Sequence, residues 1–191
     1  MDHLRAVLDV LLSHGTSQQD VTVLQCTTQY PTPDADINLA AMVTLGRELD
    51  LSYGLSDHSE GPLACIGAAA LGATILEKHV TLDRQIAGPD HKASMEMPEF
   101  RKMCADIRRM RTMMGTSEKI VTESDRTNIT VARKSIVARS GLKSGHVLRR
   151  QDLDIKRPAV GISPMEIYDV IGKRLTRDVE QDEALRDGDV V

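Results

Sequence analysis

Aromatic residues are scarce in this chain. Among 191 residues there are three tyrosines, one phenylalanine and no tryptophan. Such a chain offers little for unstacked bases to lie on, and its core has to be built from Leu, Ile, Val, Ala and Met. Positive charge is not in excess either. With 24 Lys and Arg against 28 Asp and Glu the formal charge is −4, whereas a phosphate-backbone binder needs a basic face. Nucleic acid is therefore not an expected partner. The cysteines are Cys26, Cys65 and Cys104, odd in number, far apart and without a Cys-x-x-Cys pair. A disulfide framework and a zinc ribbon are both excluded by that pattern, which suits a reduced cytoplasmic setting. No run of 18 apolar residues is present, so no membrane span is expected. Met1 to Leu12 lacks the basic and long apolar regions of a signal peptide.

What the chain does have is ordinary soluble material, 41% hydrophobic and 27% charged, arranged with period. Leu4, Val7, Leu8, Leu11 and Leu12 fall at helical spacing, and Gly15 offers a stop. Val21 to Leu24 reads as a buried strand, residues 38–49 as a helix, and Leu51 to Leu55 as a second strand. A helix over 63–71, a third strand over 74–80 and a helix entered at Pro98 follow. Strands alternating with helices imply a parallel sheet. Residues 115–130 are polar with little periodicity and read as a linker. From 131 onward short β-type runs (135–137 and 153–155) among Gly and Pro turns imply a second, small domain over 131–191. A complete (β/α)8 barrel takes roughly 250 residues, and only three strand units are visible in 1–114. If the first domain is a barrel, more than half of it lies outside this chain.

In parallel α/β folds the carboxyl ends of the strands carry the chemistry. Here those ends are polar: Cys26 to Pro33, Gly54 to Ser59, and Glu77 to Thr81 followed by Gly88 to Ser94. Strand side chains alternate, so Ser56 and His58 share one face, as do Glu77 and His79. On neighbouring strands His58 and His79 would converge. Two imidazoles with open positions suit a divalent metal such as Mn²⁺; two separately satisfied structural histidines are the other reading.

The runs Cys26-Thr27-Thr28-Gln29-Tyr30-Pro31-Thr32-Pro33, Gly54-Leu55-Ser56-Asp57-His58, Glu77-Lys78-His79-Val80-Thr81-Leu82-Asp83 and Gly88 to Ser94 resemble, in order and spacing, the N-acetylneuraminate (sialic acid) synthase family. Lys134 to Ala138, Lys156-Arg157-Pro158 and Gly161-Ile162-Ser163-Pro164 resemble that family's antifreeze-like (SAF) domain. The resemblance implies an α/β fold, the last three strands of a (β/α)8 TIM barrel followed by a small β-rich SAF domain. It implies a cytoplasmic enzyme, a metal-dependent (Mn²⁺ or Mg²⁺) transferase. Phosphoenolpyruvate would condense with an N-acylated hexosamine such as N-acetylmannosamine, giving a nonulosonic acid and phosphate. Legionaminic or pseudaminic acid synthases share the motifs, and a non-catalytic truncated protomer is a further alternative. Ice binding is suggested only by the antifreeze-like domain.

By the same resemblance His58 and His79 ligate the metal, and Ser56 and Thr28 contact phosphoenolpyruvate. Tyr30, Glu77 and Asp90 hold the sugar, with Glu77 and Asp90 as the candidate catalytic carboxylates. Arg157 closes over the sugar from the partner subunit of a domain-swapped homodimer. The family's lysines, serines and glutamate from earlier strands have no counterpart here, so the chain alone is expected to be inactive. His91 and Lys92 are expected to order their loop, Met103, Met110, Met113 and Met114 to lie in a helix core, and the acidic segment from Glu180 to Asp189 to be solvated surface. His3, His14 and His146 show no partner pattern.

Overall fold

The computed structural model describes residues 1–191. By its own contacts the chain divides into two units, Met1–Ser117 and Glu118–Val191.

In the first unit, helix α1 (Asp2–Ser13) precedes strand β1 (Thr22–Cys26). A short helix α2 (Asp34–Ile37) leads into α3 (Leu39–Leu49), then strand β2 (Ser52–Asp57), helix α4 (Leu63–Ala70) and strand β3 (Ile75–Lys78). The periodic segments thus form the expected elements. The three strands pair in the order β1-β2-β3, all parallel. Two-residue strands β4 (Val80–Thr81) and β5 (Met95–Glu96) pair with each other, and helix α5 (Met97–Met114) follows. Local chemistry sets the ends. Asn38 adopts a left-handed conformation and its side chain accepts from the Ala41 N–H, capping α3. At α5, Glu96 and Glu99 form a reciprocal capping box, with proline in the first turn.

Aliphatic residues fill the space between sheet and helices. Met42, Leu55, Ala64, Ala68 and Ala73 make one cluster and Cys65, Met95 and Met103 another. The small side chains of α4 let it lie close on the sheet. Of the α5 methionines only Met103 is buried; Met113 and Met114 are exposed, so the expected methionine core shrinks to one residue. Helix α1 buries nothing, and Leu4, Val7, Val10 and Leu11 stay exposed along it.

Where the sequence predicts a linker over 115–130, helix α6 spans Glu123–Ala132, its start capped by the Thr122 side chain on the Asp125 N–H. Weak amphipathicity hides this helix from a periodicity argument. Strands β6 (Ser135–Ala138) and β7 (Leu153–Lys156) pair antiparallel, and a four-residue helix α7 covers Ile167–Val170. Single β-bridges add Val137 to Ala184, Leu142 to Val179, Val147 to Arg174 and Leu175 to Val190. They enclose a continuous core of Ile136, Ala138, Leu148, Leu153, Leu175, Val179 and Leu185, each at most 2% exposed. The acidic segment is not solvated throughout. Arg177 holds both Asp189 oxygens, at 2.6 and 2.8 Å, and Glu183 at 2.8 Å, and Asp189 is buried. His146 likewise has a partner, Asp152, at 2.9 Å. No helix is long and apolar enough to cross a membrane.

Candidate functional site

Parallel pairing of β2 and β3 aligns Ser56 with Glu77 and Asp57 with Lys78. Because side chains alternate, the aligned pairs alternate between the two faces of the sheet. On one face the Ser56 hydroxyl donates to Glu77 Oε1 at 2.5 Å. Two residues further on, just past the strand ends, the rings of His58 and His79 stand 5.1 Å apart, edge to face. Tyr30, in the loop after β1, completes a triangle, with its ring 5.1 Å from His58 and 4.6 Å from His79. The convergence expected of the two histidines is what the geometry has.

Each imidazole has a distinct setting. His58 Nδ1 lies 2.7 Å from the Thr27 carbonyl; the oxygen only accepts, so Nδ1 carries the proton and Nε2 keeps its lone pair. That is the usual tautomer lock of a metal-binding histidine. His79 packs against both other rings and offers its carbonyl to the Met95 N–H. The donor set fits part of a divalent metal's shell. Two imidazoles are present, and no group of three or more His, Cys, Asp or Glu converges as a complete ligand set. Further positions would fall to water or substrate oxygens, as a Lewis-acid site requires.

The remaining expected residues are placed unevenly. Tyr30 OH is 3.3 Å from Ser94 Oγ, and Ser94 donates on to the Asp90 carbonyl at 2.7 Å. Burial, with Asp90 and Asp57 nearby, pushes the phenol above its ordinary value against the opposing Ser94 hydrogen bond, so Tyr30 is a neutral donor. The Asp90 side chain is exposed and unpaired; only its main chain is tied. Thr28 is exposed and makes no side-chain hydrogen bond, while Thr27 beside it orients His58. Ser56, as arranged, has its one proton on Glu77 and must turn to donate elsewhere. His91 Nδ1 meets Thr81 Oγ1 at 2.9 Å, which bears out its loop-ordering reading. In the second unit Arg157 is exposed; its Nε donates to the Ala132 carbonyl at 2.8 Å, which leaves both terminal nitrogens unpaired.

Sequence reasoning misses what stands on the other face. Asp57 and Lys78 are joined at 2.9 Å with side chains only 1% and 3% exposed. Burial works to raise the Asp57 pKa, yet hydrogen bonds from Ser59 and Lys78 outweigh it and hold the group below its ordinary value. The facing Cys65 thiol is pushed up to about 12, chiefly by burial. The signal was available as Asp before one histidine and Lys before the other, but it acquires meaning only once the register is known.

Known families match both units of the chain. A family profile described as the NeuB family matches residues 1–119, and one described as the SAF domain matches residues 133–191. A Campylobacter jejuni N,N'-diacetyllegionaminic acid synthase is 40% identical over 98% of the chain and 56% of its own length. Human N-acetylneuraminate-9-phosphate synthase is 31% identical over 85% of the chain and 46% of its own length. Among solved structures, an N-acetylneuraminic acid synthetase from Leptospira borgpetersenii aligns with a TM-score of 0.59 at 30% identity, covering 67% of this chain and 44% of that one. A spore coat polysaccharide biosynthesis protein E from Chromobacterium violaceum, at 23% identity, shares the fold with a TM-score of 0.69 over 100% of this chain and 57% of that one. The chain spans about half the length of the curated relatives it matches. On these matches and this fold, the chain belongs to the NeuB family and carries a SAF domain at its C-terminal end.

Proposed function

We propose that this chain forms the C-terminal part of a nonulosonic acid synthase that condenses phosphoenolpyruvate with an open-chain N-acylated hexosamine. The observation that carries the reading is the Tyr30, His58 and His79 triangle at the strand ends, with the Ser56–Glu77 pair directly below it. In the reaction, C3 of phosphoenolpyruvate bonds to the aldehyde carbon, whose oxygen takes up a proton. Water adds at C2, and the C2–O bond to phosphate breaks to leave the 2-keto acid. A divalent metal, Mn²⁺ or Mg²⁺, held by His58 and His79 would polarise the aldehyde, a poor electrophile unaided. Tyr30 donates to a sugar oxygen, Glu77 and Asp90 hold sugar hydroxyls, and Ser56 and Thr28 face phosphoenolpyruvate. The exposed guanidinium of Arg157 supplies a planar pair of donors to an oxygen-rich substrate, from a partner protomer of a domain-swapped homodimer.

Several features support a sheet that continues into a barrel. Strands β1 and β3 each keep one edge unpaired, and α1 leaves its apolar residues uncovered; open edges of this kind are normally paired or covered. Identities of 40% and 37% to two diacetyllegionaminic acid synthases, 35% to a pseudaminic acid synthase and 31% to the human N-acetylneuraminate-9-phosphate synthase support a nonulosonic acid as the class of product.

Phosphate release from phosphoenolpyruvate tests the reading, with the chain alone and mixed with the N-terminal half of a NeuB relative. Sugar-dependent release is expected only in the mixture, and His58→Ala or His79→Ala should each remove it. A mixture that assembles yet releases no phosphate would leave a non-catalytic protomer instead.

A further inference from the structure

Three successive residue pairs stand at the carboxyl ends of β2 and β3, the last of them, His58 and His79, just past the strands, and only the outer two face the proposed metal. Between the Ser56–Glu77 pair and the histidine pair lies the Asp57–Lys78 ion pair, turned to the opposite face and covered by α4. Its hydrogen bonds are arranged around His58. Lys78 Nζ donates to Asp57 Oδ2 at 2.9 Å and also to the carbonyl of Ser59, so one ammonium grips the residues on both sides of His58. Asp57 Oδ1 accepts the Ser59 N–H at 2.9 Å, and Oδ2 also receives the Cys65 thiol at 3.3 Å. The two Lys78 contacts fix the backbone that carries His58 to the residue that immediately precedes His79, and the Asp57 bond to the Ser59 N–H holds the turn around His58.

Holding two strands together does not require charge. Taking a carboxylate and an ammonium out of water costs several kcal/mol per ion, and apolar residues of similar size in such a place are often neutral or stabilising. What apolar residues lack is direction. An ammonium with three donors fixes Asp57, Ser59 and its own strand in one geometry, whereas a leucine and a methionine would let the strand ends slide. Residues that orient metal-binding imidazoles through the backbone or a hydrogen bond change metal affinity without touching the metal.

We propose that Asp57 and Lys78 are positioning residues that set the separation and orientation of the His58 and His79 imidazoles. This rests on the reading of the histidines as metal ligands only for its effect on metal; the imidazole arrangement is a property of the chain itself. Cys65 is the third, weaker member of the device, and it shares Asp57 Oδ2 with Lys78.

The test is the double variant Asp57→Leu/Lys78→Met in the chain. It removes both charges together, so no lone buried ion is left to unfold the protein. Circular dichroism and thermal melting report whether it stays folded. Long-range ¹H–¹⁵N NMR of the imidazoles reports their arrangement without metal, because Tyr30 and the facing ring shift each other's signals. Mn²⁺ titration followed by the loss of the free-ion EPR signal reports affinity. The expected result is a folded variant whose His58 and His79 signals move toward unshifted values. Its Mn²⁺ affinity should fall by roughly 10- to 100-fold. A folded variant with unchanged imidazole signals and affinity within about twofold would overturn the proposal. If the parent chain takes up no Mn²⁺, the metal reading fails by itself and the imidazole signals still decide the positioning role. Should the double variant not fold, Asp57→Asn/Lys78→Gln carries the same comparison, since it keeps shape and hydrogen-bonding groups while removing both charges.

Discussion

His58 and Thr27 meet across two strand ends, the ring Nδ1 of one 2.7 Å from the carbonyl of the other. A carbonyl can only accept, so the neutral ring is held as the Nδ1–H tautomer. Imidazole ¹⁵N shifts should show a protonated Nδ1 and a bare Nε2 for His58 in the metal-free chain. The opposite tautomer would remove the lone pair the metal reading depends on.

Gly54 of β2 stands opposite Ile75 of β3. A Cβ there would sit 2.1 Å from the Ile75 carbonyl oxygen and 2.7 Å from a methyl of Leu24. The first contact is backbone and cannot turn away. Gly54→Ala should therefore push β3 outward and shift His79 relative to His58. Mn²⁺ affinity is expected to drop at least tenfold with the second unit's melting unchanged. Parent-like affinity would mean that the strands accommodate the methyl.

Leu153 is fully buried among Ile136, Leu148, Leu175 and Leu185 in the second unit. A Leu→Ala change in such a place costs about 2–5 kcal/mol, part of it for the cavity left behind. Small domains hold only a marginal reserve. Leu153→Ala should leave the second unit largely unfolded near 37 °C, seen as loss of amide protection over residues 135–190. Protection equal to the parent's would show that the core can collapse around the loss.

Acid should loosen the same unit. Hydrogen bonds from Arg177 hold the Asp189 carboxyl below its ordinary value of 3.8. Glu183 is lowered first by the Glu180 N–H and then by Arg177, and Asp178 is lowered by Lys143. Groups whose folded pKa is depressed add stability above the unfolded pKa, and that stability is lost as pH falls through the folded value. The melting temperature of the second unit should therefore decline steadily below about pH 4. Arg177→Met should lower it at pH 7 and flatten the acid slope. An unchanged slope would place the acid sensitivity elsewhere.

Arg157 offers two unpaired terminal nitrogens from the second unit, and the proposed dimer delivers them to the neighbour's sugar. Mixed full-length dimers of a synthase, one protomer Arg157→Ala and the other His79→Ala, separate the possibilities. Action in trans puts both defects in one site and leaves the other whole, so up to half the normal activity per mixed dimer should return. Activity at the background of the single variants would assign the arginine to its own protomer.

Much of the fold was legible because the residues are locally consistent. The β-branched run at 21–24, the alanines of α4 and the proline entering α5 each say alone what the structure has. Strands β4 and β5 were not legible, since two residues carry no period. Nor was α6, whose polar surface gives a weak stripe although Thr122 caps it correctly. In the site, His58, His79, Ser56 and Glu77 could be paired on paper because alternation fixes faces. The Asp57–Lys78 pair could not, as it needs the register of β2 on β3, and the grip of Arg177 on Asp189 joins residues twelve apart through a loop.

The alternation of those three residue pairs bears on how such a chain can change over time. Substitution alters one pair and leaves its neighbours facing as they were. Losing or gaining a single residue within β2 or β3 exchanges the two faces of everything beyond it. Asp57 or Lys78 would then be turned toward the substrate side, and a histidine into the space under α4. Lineages descending from such a chain should thus vary in side chains along 52–58 and 75–79 while keeping the length of both segments, with insertions confined to the loops at either end.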